Sequence, residues 1–130
     1  MDWINANFYR DFGYGLIYPQ VFPNHKRPSD ESQKVTLDWA KERCQSWLGI
    51  LDSKIIRPSH RYLVGDRVTV ADYFGAGIFT AGELVGCDFN KFPNVKRWLD
   101  GMKGRPAYAS VFGPFNQFTA SLKGQSFAKV

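Results

Sequence analysis

Thr69-Val70-Ala71-Asp72 is the feature that most restricts how this chain can fold. A threonine followed three residues later by an acid, ahead of an apolar run, is a capping box. The hydroxyl takes the Asp72 backbone N–H, and the carboxylate reaches back to the Thr69 N–H. Val68 before the cap and Tyr73 four residues after it are placed for a hydrophobic staple. Asp72 lies in the first turn, where the helix dipole favours an anion. Behind the cap, Ala71, Phe74, Ile78, Ala81 and Val85 recur at helical spacing. The other side, from Tyr73 through Gly75, Ala76, Gly77, Thr80 and Gly82, carries no charge before Glu83. A helix that is small or apolar all round is buried all round. The pattern predicts a central, enclosed helix from Thr69 to about Val85, with Gly75 and Gly77 admitting close approach of a neighbour.

The remaining elements also read as helices. Ile4, Phe8 and Phe12 keep a four-residue spacing after Asp2, a possible cap; Gly13-Tyr14-Gly15 loosens the pattern, and Pro19 and Pro23 end it. No room for another element precedes this helix, so the start reads as a cut through a longer protein or as the start of a stripped-down one. Ser29 or Asp30 opens a second helix, with Thr36, Ala40, Cys44, Trp47, Leu48, Leu51 and Ile55 as its apolar stripe over about six turns. Gly86 is placed to close the central helix. Pro93 opens a short helix that buries Val95, Trp98, Leu99 and Met102. From Gly113 the pattern decays, yet Phe115, Phe118, Leu122 and Phe127 are too apolar for a free tail. No run alternates as a strand does. The expected fold is all-α, a bundle of four to six helices around one buried central helix. Residues 1–112 are read as the domain and 113–130 as a tail partly packed back over it.

Composition narrows the function. The chain has 130 residues, 44% hydrophobic and 16% aromatic, enough for one packed core. No apolar run reaches the roughly 18 residues of a membrane span, and no signal peptide is visible. Cys44 and Cys87 fall on separate predicted helices and are expected as reduced thiols in a cytoplasmic protein. The net charge of +5 is scattered, without a nucleic-acid-binding motif, so no nucleic-acid or membrane partner is expected. No nucleophile motif, phosphate loop or metal spacing occurs. His25 and His60 sit in loops and are expected in solvent, as are Glu83 and Asp88 unless they cap. Asp72, third in its helix, is assigned to capping rather than to catalysis. One excess remains: Phe8, Tyr9, Phe12, Tyr14, Tyr18 and Phe22 crowd the first helix and its exit. Those rings serve either as core plus a partner surface, or as the lining of an apolar ligand cleft with hydroxyl handles.

Tyr62-Leu63-Val64-Gly65-Asp66-Arg67-Val68-Thr69-Val70-Ala71-Asp72-Tyr73 resembles the loop and capping box of the helical C-terminal domain of glutathione S-transferases. Phe92-Pro93-Asn94-Val95-Lys96-Arg97-Trp98-Leu99, followed by Arg105-Pro106-Ala107-Tyr108, is similar to that family's next pair of helices. Asn7-Phe8-Tyr9-Arg10-Asp11-Phe12 and the Tyr18-Pro19 break are similar to its first all-helical segment, particularly in bacterial members. The likeness covers about Asp2 to Phe112. It implies a parent protein that joins glutathione, as co-substrate, to an apolar electrophile. In that family an N-terminal thioredoxin-like domain holds glutathione and supplies the Ser, Tyr or Cys that stabilises its thiolate, and nothing in this chain matches that domain. The chain would then be the substrate-side and dimerisation half, with no catalytic residue, cofactor or metal of its own, and a homodimer in the parent protein. Carried over by segment, Tyr9, Phe12, Tyr14 and Tyr18 border the substrate cleft, and Phe112 and Phe115 close it. Thr69 and Asp72 match the family's capping pair. Two other readings compete: a free-standing helical interaction module, and a binder of apolar ligands without turnover. An apolar surface patch would favour the half-protein over a domain evolved to stand alone.

Overall fold

Aromatic residues of the first helix form the middle of the core. The computed structural model describes residues 1–130 as an all-α bundle of five helices. Helix α1 runs Ile4–Ile17 in the wide π form and Tyr18–Val21 in the α form. Helix α2 covers Asp30–Ile50 and continues as a π-type turn over Leu51–Ile56. Helix α3 is Val70–Thr80, tightening to a 3-10 turn at Ala81–Val85. Helices α4 and α5 are Pro93–Lys103 and Tyr108–Ser121. Phe8, Phe12, Leu16 and Ile17 of α1 are at most 1% exposed. Phe8 stacks on Phe12 at 4.6 Å and on Phe79 of α3 at 4.4 Å, and the Trp98 ring of α4 meets Phe79 edge-on at 5.4 Å. Such ring pairs add to what their buried area contributes. Helix α1 packs chiefly against α2, and α4 against α3 and the end of α2.

Each start has a local cause. Ser29 and Ser32 form a capping box at α2, with Asp30 and Glu31 in the first turn. At α4 the cap comes from another helix: the Asp52 carboxylate accepts the Asn94 and Val95 N–H groups at 2.7 and 2.9 Å. At α3 the Thr69–Asp72 box forms. The fully buried Asp72 carboxylate accepts from the Thr69 N–H at 2.8 Å, the Thr69 hydroxyl at 3.0 Å, the Leu63 N–H at 2.8 Å and the Trp98 indole at 2.9 Å. Gly86, left-handed at φ 76°, closes the turn after α3.

Four expectations need correcting. Helix α3 is not enclosed on every side: Val70 and Tyr73 are more than half exposed, and nothing lies within 4 Å of where a Cβ on Gly77 would stand. Gly75 is closely approached as expected, a Cβ there lying 3.1 Å from Leu63 and Trp98, and further close approaches occur at Gly15, where a Cβ would lie 2.9 Å from that of Ala40, and at Gly82, 2.8 Å from Phe12 Cζ. Helix α1 does not end at Pro19; hydrogen bonding changes there, with the Tyr18 N–H reaching back to the Gly13 carbonyl and the Gln20 side chain taking the Leu16 carbonyl at 2.7 Å. Helical order also continues past Phe112 to Ser121, because Phe112, Phe115, Thr119 and Leu122 keep a half-buried helical stripe that outweighs Gly113-Pro114. Beyond α5, Phe127, Ala128 and Val130 lie on the core, and the Gln20 amide makes two bonds to the Ala128 backbone at 2.9 and 2.7 Å.

Removing the Asp72 carboxylate strands buried donors as well as deleting bonds to a charged group. Asp72→Ala is expected to lose about 3 kcal/mol or more, and Thr69→Ala about 1 kcal/mol, up to about 2. Urea denaturation measures both, and an unchanged midpoint in either would contradict the cap's role. Gly77→Ala should gain up to about 1 kcal/mol from helix propensity, whereas Gly82→Ala should lose roughly 1–3 kcal/mol by overpacking Phe12 and Cys87. The same titration, run on the pair, separates an open glycine from a packed one.

Candidate functional site

An apolar cavity of about 390 Å³ opens between α3, α4 and the start of α5. Seven of its nine lining residues are hydrophobic, against four of twelve in a cavity of similar volume beneath the tail. Helix α3 supplies Tyr73 and Ala76, the side that the capping box leaves facing outward. Helix α4 supplies Met102 from the edge of its buried stripe. The Arg105-Pro106-Ala107 turn and Tyr108, Val111 and Phe112 of α5 complete the wall. Polar groups are few. The Tyr108 hydroxyl shares a hydrogen bond with Thr80 at 3.2 Å, and Arg105 Nε donates to the Tyr73 hydroxyl at 3.1 Å. An apolar chamber with a few placed hydroxyls is the usual form of a small-molecule site.

The residues expected at the cleft do not all meet. Phe112 lines this cavity, and Phe115 stands edge-on to it at 5.9 Å. Tyr9, Tyr14 and Tyr18 gather elsewhere on α1, with ring centroids 5.1 to 6.2 Å apart and His25 and Phe22 beside Tyr18. None of the three lines the cavity. Phe12 is fully buried among Phe8, Phe79 and Phe89, so it has no surface to offer a ligand. Tyr73, Ala76, Met102, Arg105, Tyr108 and Val111 were not singled out in the sequence for a site. For Tyr73 and Ala76 the one signal was the uncharged stripe of α3, which burial accounts for equally well; Met102, Arg105, Tyr108 and Val111 reach the chamber only through the packing of α4 and α5 on α3.

Proton chemistry is quiet here. Burial, then the 2.5 Å hydrogen bond to Tyr9, then the neighbouring phenols, push the Tyr18 hydroxyl well above the ordinary tyrosine range. Burial raises Cys44 and Cys87 in the same direction, and both thiols are free. A neutral, enclosed thiol is a poor nucleophile. His60 is not simply in solvent: its Nδ1 pairs with the Ile55 carbonyl at 2.9 Å and its Nε2 with Arg57 at 3.2 Å, so Nδ1 carries the proton. Glu83 is ion-paired with Lys103, and Asp88 caps its own turn through the Asn90 N–H at 2.9 Å. No three His, Cys, Asp or Glu side chains come together.

The one strongly placed acid outside the cap is Asp11, which is 1% exposed. Burial works to raise its pKa. Hydrogen bonds from Arg10 and Trp47, with the charges of Arg10 and Arg43, outweigh burial and hold it below the usual range. A depressed acid contributes stability that is fully present above its unfolded pKa, about 3.9, and lost as pH falls through the lower folded value. Asp11→Asn should therefore lose stability at neutral pH, with the deficit shrinking toward about pH 2. Circular dichroism through an acid titration checks this; a deficit constant with pH would overturn it.

The chain is an all-α bundle with an apolar chamber between three of its helices. The glutathione S-transferase C-terminal domain family matches residues 16–106, and the chain belongs to that family. Glutathione S-transferase aclG of Aspergillus oryzae is 27% identical over 101 residues, 75% of this chain and 42% of that protein. Glutathione S-transferase GstB of Escherichia coli is 25% identical over 114 residues, 85% of this chain and 50% of that protein. The chain thus spans about half the length of the curated relatives it matches. No solved structure matches it. No helix is long and apolar enough to cross a membrane.

Proposed function

We propose that this chain is the substrate-side half of a cytoplasmic glutathione S-transferase-like protein, and that the cavity between α3, α4 and α5 receives the apolar electrophile. The observation that carries the reading is the chamber's lining, apolar at seven of nine positions with the Tyr73 and Tyr108 hydroxyls as handles. Glutathione would be the co-substrate, held and activated by a thioredoxin-like domain, because burial keeps Cys44, Cys87 and Tyr18 neutral. Tyr73 and Val111 stand exposed at the chamber's wall and Val70 is exposed three residues before Tyr73 on α3, the apolar surface expected where a second domain docks. The parent protein is a homodimer in this reading, with Val35 and Trp39 of α2, exposed one turn apart, as its second apolar face. Phe112 and Phe115 belong to the substrate site. Tyr9, Tyr14 and Tyr18 border it only in the whole protein, and Phe12 acts from the core.

Calorimetric titration of the chain with glutathione and then with S-hexylglutathione tests this. The hexyl conjugate is expected to bind and glutathione alone not to, with binding lost in Val111→Trp, whose indole fills the chamber. If neither binds and light scattering gives a stable monomer, the interaction-module reading takes its place.

A further inference from the structure

Arg61, Arg97 and Arg105 line one cavity of about 350 Å³, completed by Tyr62, Trp98 and Gly101. None of the three arginines takes part in an ion pair. Arg97 gives its donors to neutral oxygens: the carbonyls of Arg57, Pro58 and His60 and the Asn94 side chain, at 2.8 to 3.3 Å. These bonds fix its position and leave its charge uncompensated. Arg61 has no hydrogen-bond partner and lies over the Tyr62 ring at 5.5 Å. Arg105 lies 5.7 Å from the Tyr73 ring centre, donates from its Nε to the Tyr73 hydroxyl at 3.1 Å and reaches the Tyr62 hydroxyl as well, so its partners too are neutral. The guanidinium N–H groups that these contacts leave over are available for a fork of two oxygens. The neighbouring carboxylates are already engaged. Asp72 is held by Trp98, Leu63 and Thr69, Asp52 by the start of α4, and Asp100 by Lys96. A surplus of positive charge is left over a concave surface, which concentrates anions.

We propose that this cavity is a binding site for a small multivalent oxyanion, free or carried on a small molecule, with Arg61 and Arg105 as its contacts and Arg97 supplying fixed charge. The site does not depend on the transferase reading. Arg61 lines this cavity and not the apolar one, and Val111 the apolar one and not this, so the two can fail separately.

The test titrates the chain with inorganic pyrophosphate at physiological salt, following the Trp98 indole and arginine Nε–H signals by NMR. Saturable binding is expected, weakened about tenfold in Arg61→Gln and again in Arg105→Gln, as for the loss of a charge-assisted contact. Lys123→Gln, on the far tail, should bind as the parent does. Unchanged urea midpoints in the two arginine variants would separate lost binding from lost folding. Where Arg105→Gln shifts the midpoint, Arg61→Gln alone decides. Shifts that potassium chloride reproduces at equal ionic strength, or an equal loss in Lys123→Gln, would overturn the proposal.

Discussion

A single buried carboxylate holds three parts of this molecule in register. Asp72 has no cationic partner and no solvent, so its charge is met only by donors placed around it. One comes from the loop at Leu63, two from the cap at Thr69 and one from α4 at Trp98. Hydrogen bonds to a charged group contribute on the order of 1.5–3 kcal/mol each, and the penalty for leaving any of them unmade is similar. The loop before α3, the start of α3 and the indole of α4 are therefore not independent choices. Displacing one leaves a charge in the core without its shell. The same indole then stands edge-on to Phe79, which ties the polar centre to the stacked rings of α1.

Much of this was legible because it depends on short-range chemistry. The Thr69–Asp72 box, the start of α2 at Ser29, Pro93 at the head of α4 and Gly86 at the close of α3 each need only a few adjacent residues to be read. The parts that were not legible depend on partners far along the chain. Nothing near Gly77 says that its helix face is open, and nothing near Gly82 says that Phe12 presses on it. Pro19 and Gly113-Pro114 are helix breakers by propensity; the Leu16–Gln20 bond and the Phe115–Leu122 stripe override them. His60 looks like a loop residue until the Ile55 carbonyl and Arg57 are placed beside it.

The candidate site was legible only in character. The aromatic excess of α1 read either as core plus a partner surface or as the lining of an apolar cleft, and the apolar chamber lies between α3, α4 and α5 instead. Which rings share it is a question of helix rotation and crossing, and these put Phe112 at the chamber and Tyr9, Tyr14 and Tyr18 on another surface. The chemistry of the titratable groups divides in the same way. Enclosure keeps the thiols and Tyr18 neutral, which suits a binding surface and removes them as bases. The unpaired positive charge gathers instead around Trp98, on the far side of Arg105 from the apolar chamber.

The clip between Gln20 and Ala128 spans 108 positions of sequence for two hydrogen bonds. The residues between are already folded, so the clip orders only the last few residues, and a terminal segment held by few bonds is the part of a fold most prone to open. That segment brings the Val130 backbone against the Cys87 thiol. Each time the end of the chain lifts, Cys87 gains water and loses the enclosure that kept it neutral. Alkylation or oxidation of this sulfur then runs through the open form, so its rate carries the population of that form as a factor and reports on the chain end as well as on the thiol.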